Sequence, residues 1–131
     1  MIVLDTHVLV WWLTQAPGLS TAAKRAISKH TAAGEIVAST ISVLEVATAV
    51  RRGRLQFSVP VDQWLADACS IPELRFEPVS AEIANLAGSL SEPMHGDPAD
   101  RVIAATTVVL GATLVTGDPR LRGLPSLRTI W

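Results

Sequence analysis

The sequence predicts an α/β fold of the three-layer kind, with a mainly parallel sheet of about five strands flanked by helices, in one domain spanning residues 1–131. Three observations carry that expectation. Short, unbroken runs of β-branched and other apolar residues, Ile2-Val3-Leu4, Ile36-Val37-Ala38 and Thr113-Leu114-Val115, have the pattern of strands buried on both faces. Stretches with helical start and stop signals separate these runs, the alternation of a parallel sheet wound by crossover helices. Asp5 and Asp118 stand just beyond apolar runs, at the carboxyl edge where ligands gather in such folds.

Taken in order, Ile2-Val3-Leu4 ends at Asp5-Thr6, and Val8-Leu9-Val10-Trp11-Trp12-Leu13 reads as a compact helix before the Pro17-Gly18 break. Trp11 and Trp12 are adjacent, so on a helix they cannot face the same way. One is expected in the core and the other is a candidate interface anchor. Ser20 is the expected N-cap of a second helix carrying Ala22, Ala23, Ala26 and Ile27 and closing near Gly34. After the second strand, a helix over 41–52 ends in basic residues with Gly53 just past it, a standard stop signal. Residues 55–60 are irregular or briefly extended. Pro60 then opens a helix through Trp64, Leu65, Ala68 and Cys69, stopped by Pro72. A third strand is expected over 74–79, followed by a helix begun at Ser80 with Glu82 and Ile83 and running to about Leu90. Residues 91–96 make a polar loop. In Asp97-Pro98-Ala99-Asp100-Arg101, proline suits the first helical position, which makes Asp97 the N-cap and puts Asp100 on the first turn. Val102 to Leu110 continue as an apolar helix that has to be buried, which draws Asp100 inward. A fourth strand over 113–115 ends at Thr116-Gly117-Asp118, and 127–131 is a weaker fifth.

Hydrophobic residues make up 49% of the chain and the mean hydropathy is +0.36. That is high for a domain this small, so some apolar surface is expected to meet a partner. A net charge of −1 excludes a domain that binds nucleic acid through overall positive charge; any such contact has to be local. Cys69 is the only cysteine, which excludes an internal disulfide or a thiolate metal cluster and fits a reducing cytoplasm. The N-terminal apolar run lacks a preceding basic region and is interrupted by Asp5 and His7, so it is read as neither a signal peptide nor a membrane span.

The acids carry the chemistry. Asp97 and Asp100 can be explained as capping a helix and complementing its dipole, worth roughly 0.5–1 kcal/mol apiece, and Asp5 and Asp118 as helix or turn caps. Glu45 cannot. It is the only charge between Ile41 and Val50, with no basic residue three or four positions away. A carboxylate among Val, Leu and Ala is expected to be partly buried, and an unpaired buried charge is costly. It therefore meets a metal, an arginine or a proton. Gathering Asp5, Glu45, Asp100 and Asp118 at one edge would raise their pKa values and repel. A hard divalent cation such as Mg²⁺ or Mn²⁺ resolves that conflict through oxygen ligands and suits a phosphate substrate. His7, His30 and His95 have no zinc-site spacing, no serine sits in a nucleophile elbow, and no phosphate-binding GxxxxGK[ST] loop is present.

Val3-Leu4-Asp5-Thr6-His7-Val8-Leu9-Val10-Trp11, the isolated Glu45, the stretch from His95-Gly96-Asp97-Pro98-Ala99-Asp100-Arg101 to Thr106, and Val115-Thr116-Gly117-Asp118 together resemble the PIN-domain ribonucleases, above all the VapC toxins of toxin–antitoxin modules. The resemblance runs the length of the chain. It implies an Mg²⁺- or Mn²⁺-dependent endoribonuclease toxin with Asp5, Glu45, Asp100 and Asp118 as its acidic quartet. Asp97 is an additional acid, read first as a cap and second as a ligand. Thr6 and Thr116 match small hydroxyl positions beside the metal and, with Arg101, are the candidate substrate contacts. Arg101 either faces substrate phosphate or pairs with Asp97 or Glu92, and His7 is expected to pack or hydrogen-bond rather than ligate. Arg51, Arg52 and Arg54 either contact the RNA backbone or simply favour a helix end. A cognate antitoxin and a homodimer are the implied partners. A haloacid-dehalogenase-type phosphatase is disfavoured because His7 stands where its second acid would be. The remaining rival is a non-hydrolytic, Mg²⁺-binding module of receiver type, against which Glu45 on a mid-chain helix argues.

Overall fold

The computed structural model describes residues 1–91 and 96–131. The elements run β1 (Ile2–Leu4), α1 (Thr6–Thr14), α2 (Thr21–Ala33), β2 (Ile36–Ser39), α3 (Thr40–Arg51), α4 (Val61–Cys69), β3 (Leu74–Glu77), α5 (Ala81–Ser89), α6 (Pro98–Val109), β4 (Thr113–Val115), α7 (Pro119–Arg122) and β5 (Thr129–Ile130). The strands form one five-stranded sheet in the order β3-β2-β1-β4-β5, and every pairing is parallel. Leu4 is level with Ala38 on one side and Val115 on the other.

Alternation along the strands splits the core. Ile2, Leu4, Ile36 and Ala38 pack with α1, α2 and α4, while Val3, Val37 and Leu114 pack with Ile103 and Ala104 of α6 and Leu121 of α7. Helix α5 lies outside α6, where Ile83 and Ala87 meet Ala105. Helix α3 spans the carboxyl edge, with Val46 in the first core and Ile41 against the second. The expected sheet between helical layers is therefore present. Among the described residues, no helix is long and apolar enough to cross a membrane.

The differences from expectation lie at element ends. Helix α1 begins at Thr6, two residues early, because the Asp5 side chain accepts the Thr6 N–H and supplies the cap. Strand β3 stops at Glu77, since Pro78 has no N–H for the ladder. The turn expected after Asp118 is a short helix, α7, with Asp118 as its N-cap and Pro119 in its first turn. Residues 92–95, in the expected polar loop, lie outside the described residues, as do His95 and the proposed Arg101–Glu92 pair.

Candidate active site and metal centre

The chain crosses from β1 to β2 and β3 on one side of the sheet and then returns to place β4 on the other side of β1. The switch point thus lies between β1 and β4, where crossovers diverge and leave a crevice beyond the carboxyl ends. Asp5 follows β1 and Asp118 follows β4. Ser39 at the end of β2 caps α3, which carries Glu45. Asp97 caps α6, its side chain accepting from the N–H groups of Ala99 (2.9 Å) and Asp100. The apolar face of α6 is buried through Ile103, Ala104 and Ala105, and this seats Asp100 at the cleft floor. Asp5, Glu45, Asp97, Asp100 and Asp118 all line one cleft of about 420 Å³, together with Thr6, His7, Trp11 and Arg120.

Each acid is held by its surroundings. Asp5 is 4% exposed, so capping alone does not describe it. One of its oxygens accepts the Thr6 N–H at 2.8 Å and the other the Thr116 hydroxyl at 2.6 Å. The Thr116 oxygen in turn accepts the Asp118 N–H at 3.0 Å, so one hydroxyl ties the ends of β1 and β4 together. Glu45 is half-buried and accepts from the Thr6 hydroxyl, which also meets Ser42 at 2.8 Å. Burial raises the Glu45 pKa, the Thr6 hydrogen bond opposes the rise, and Asp5 and Asp97 add to it. Asp100 is 8% exposed. Burial first, then Asp5, Asp97, Glu45 and Asp118, push it from the ordinary 3.8 up to about 7. Asp118 caps α7 and takes a fork from Arg120, whose Nε and Nη2 lie 3.1 and 2.9 Å from its two oxygens.

One wall is aromatic. The Gly117 N–H donates to His7 Nε2 at 3.1 Å, so the proton of the neutral ring belongs on Nδ1, which faces Asp5 at 3.4 Å. The ring meets Trp11 and Trp131 edge-on, with centroids 5.1 and 5.9 Å away. A Cβ on Gly117 would come within 2.8 Å of the Trp131 indole, and one on Gly18 within 2.6 Å of Trp11. These two glycines are therefore space requirements of the aromatic wall. Trp12, half-buried, packs against the main core, while Trp11 faces the cleft.

The expected acids are thus brought together, while two expected substrate contacts are not. Arg101 donates from Nε to the Ala87 carbonyl (2.7 Å) and from Nη2 to the Leu90 carbonyl (2.8 Å), closing the carboxyl end of α5 instead of entering the cleft. Thr116 is fully buried, so it positions Asp5 and Asp118 and cannot itself touch substrate. Arg120 is the cleft residue that sequence reasoning missed. Its signal was available: a cation two residues after an acid at the end of an apolar strand.

Among the described residues, no three acidic, histidine or cysteine side chains already converge tightly enough to grip an ion. The donor set still fits one. Beside His7 and Arg120, the polar groups lining the cleft are carboxylate and hydroxyl oxygens, and burial together with the neighbouring acids holds back the ionisation of Asp100. Such a set suits a hard divalent cation.

Comparison with known proteins agrees with this geometry. The PIN domain model matches residues 2–127. The chain is 37% identical over 132 residues to Ribonuclease VapC22 of Mycobacterium tuberculosis (strain ATCC 25618 / H37Rv), covering 99% of this chain and 98% of that protein. Among solved structures, the crystal structure of VapBC2 from Rickettsia felis bound to a DNA fragment from their promoter superposes with a TM-score of 0.70 at 21% identity. It covers 98% of this chain and 97% of that one. A toxin–antitoxin complex from Klebsiella pneumoniae gives 0.65 at 19% identity, covering 97% and 95%. The chain belongs to the PIN-domain family, as a relative of the VapC ribonucleases.

Proposed function

We propose that this protein is an Mg²⁺- or Mn²⁺-dependent endoribonuclease that serves as the toxin of a toxin–antitoxin pair. The observation that carries the reading is the meeting of Asp5, Glu45, Asp100 and Asp118, from four separate segments, in one cleft at the switch point of a parallel sheet. The relative carrying the name ribonuclease supports the reaction class, and the toxin–antitoxin complex among the structural neighbours supports the partner.

Asp5, Asp100 and Asp118 would hold the cation, with Glu45 holding a second one or orienting the attacking water. Asp97 remains first a cap. A bound divalent cation supplies Lewis acidity to the scissile phosphate and a more acidic water. The chain's own residues do the rest. Thr116 and Thr6 fix the directions of Asp5 and Glu45 through hydrogen bonds already in place. Asp100, whose pKa is raised by burial and the neighbouring acids, would have to give up its proton to serve as a ligand. Arg52 and Arg54 line a hollow next to the cleft, sharing Glu45, Ala49 and Asp97 with it, where an RNA backbone can lie. Leu44, 60% exposed on the α3 surface, belongs to the same hollow and offers an apolar contact to an antitoxin or a second subunit.

Purified protein is expected to cut RNA with Mg²⁺ or Mn²⁺ and not in EDTA. Asp5→Asn and Asp100→Asn should each reduce the rate by at least about a hundredfold with the fold intact by circular dichroism. Metal-independent cleavage surviving both substitutions would contradict the reading. Expression alone should arrest growth, and co-expressed antitoxin should relieve it.

A further inference from the structure

Among the described residues, Arg120 is the only lysine or arginine lining the acidic cleft. Its guanidinium is placed where a metal would need access. Nε lies 3.1 Å from Asp118 Oδ1, Nη2 lies 2.9 Å from Oδ2, and the same Nη2 is 3.7 Å from Asp100 Oδ2. Both Asp118 oxygens are thus engaged by one planar fork, the geometry in which arginine binds carboxylates best. A divalent cation shared by Asp100 and Asp118 would draw on the same carboxylate oxygens from the same side, and two cations at contact distance repel. Guanidinium and metal therefore compete for Asp118.

The guanidinium is also easy to move. The Arg120 side chain is 60% exposed, so leaving Asp118 costs it little packing, and exposed ion pairs are weak. It cannot go far, because α7 begins at Pro119, directly after Asp118, and keeps Arg120 at the cleft rim. A permanently charged fork at that rim, detached from its carboxylate, has the shape and charge to receive a phosphate group.

We propose that Arg120 is an exchangeable counter-ion, which neutralises Asp118 beside Asp100 in the metal-free protein, yields Asp118 to the divalent cation, and then grips a phosphate of the bound RNA. This rests on the cleft being the metal-dependent nuclease site. Arg120 then links two events that would otherwise be independent: metal entry frees the residue that holds substrate, and RNA binding keeps that residue from returning to compete with the metal. Each ligand should tighten the other.

The test compares wild type, Arg120→Ala and Arg120→Lys by calorimetric titration with Mn²⁺ in the absence of RNA, and by steady-state cleavage at saturating Mn²⁺. Arg120→Ala should bind Mn²⁺ about two- to fivefold more tightly, the factor that an exposed ion pair represents. It should also show a larger Mn²⁺-induced rise in melting temperature. Its KM for RNA should increase about tenfold with kcat changing less, the pattern of weakened substrate binding. Arg120→Lys, which keeps the charge and loses the fork, should fall between the two on both measures. Mn²⁺ affinity unchanged or weakened in Arg120→Ala overturns the counter-ion role, and tighter Mn²⁺ with an unchanged KM overturns the phosphate role. Failure of wild type to bind Mn²⁺, together with cleavage that survives Asp5→Asn, would instead overturn the nuclease assignment of the cleft.

Discussion

At the scale of single residues, the cleft depends on hydroxyls as much as on carboxylates. Thr116 is wholly buried and makes two hydrogen bonds, donating to Asp5 and accepting from the Asp118 backbone. Thr116→Val keeps the shape and removes both. It should destabilise the protein by about 1–3 kcal/mol, since the Asp118 N–H and an Asp5 lone pair lose their partner inside the molecule. It should also lower the RNA cleavage rate by loosening Asp5 and Asp118, the proposed metal ligands, while Thr116→Ser restores most of both. Urea melts and cleavage rates together check this; a variant as stable and active as wild type would remove Thr116 from the positioning network. The acids were legible in the sequence because charge stands out in apolar runs, and Glu45 above all. Thr116 was legible only as a small hydroxyl near the site, because its role depends on a partner 111 positions away. Arg101 was misread for a related reason. The carbonyls that it satisfies, Ala87 in α5 and Leu90 just past its end, lie on another element, and no local pattern announces such a contact.

At the scale of elements, α6 concentrates the cost of the site. Its first turn holds an acid that the protein buries among four others, so Asp100 takes up a proton far more readily folded than unfolded. The sign follows from proton counting. Between the ordinary value of 3.8 and about 7, the native state binds more protons than the unfolded one, so stability falls as pH rises through that window. Metal-free protein should therefore be more stable at pH 5 than at pH 8, by at most a few kcal/mol. Asp100→Asn should flatten that dependence and melt higher than wild type at pH 8 in EDTA. Added Mg²⁺ should stabilise wild type at pH 8 and the variant much less. A melting profile of Asp100→Asn as steep as that of wild type would contradict the account. The start of α6 was readable because Asp-Pro-x-Asp is a strong capping signal. Strand β3 was read too long and α7 was read as a turn because a proline settles each, at Pro78 by removing a ladder donor and at Pro119 by opening a turn of helix.

At the scale of the whole molecule, the order β3-β2-β1-β4-β5 explains why acids spread along the chain can meet at all. Sequence alternation was enough to expect a parallel sheet, because runs buried on both faces look alike wherever they occur. It did not supply the strand order, which depends on which crossover packs on which face. The same arrangement separates charge on a nearly neutral chain. The net charge is −1, yet carboxylates crowd the cleft while Arg52 and Arg54 stand at its border. Under the proposed function, anionic RNA is drawn to that border rather than to the carboxylates. Replacing Arg52 and Arg54 together by alanine should weaken RNA binding and make its salt dependence shallower, by up to about 0.7 in the logarithmic slope for each RNA phosphate that these arginines neutralise. Cleavage at saturating RNA and metal should change little, since neither residue lines the cleft. If these arginines serve only the end of α3, the variant should lose some stability and keep the wild-type salt slope. Binding isotherms for a short, uncleaved RNA at several salt concentrations, run in Ca²⁺, separate the two outcomes.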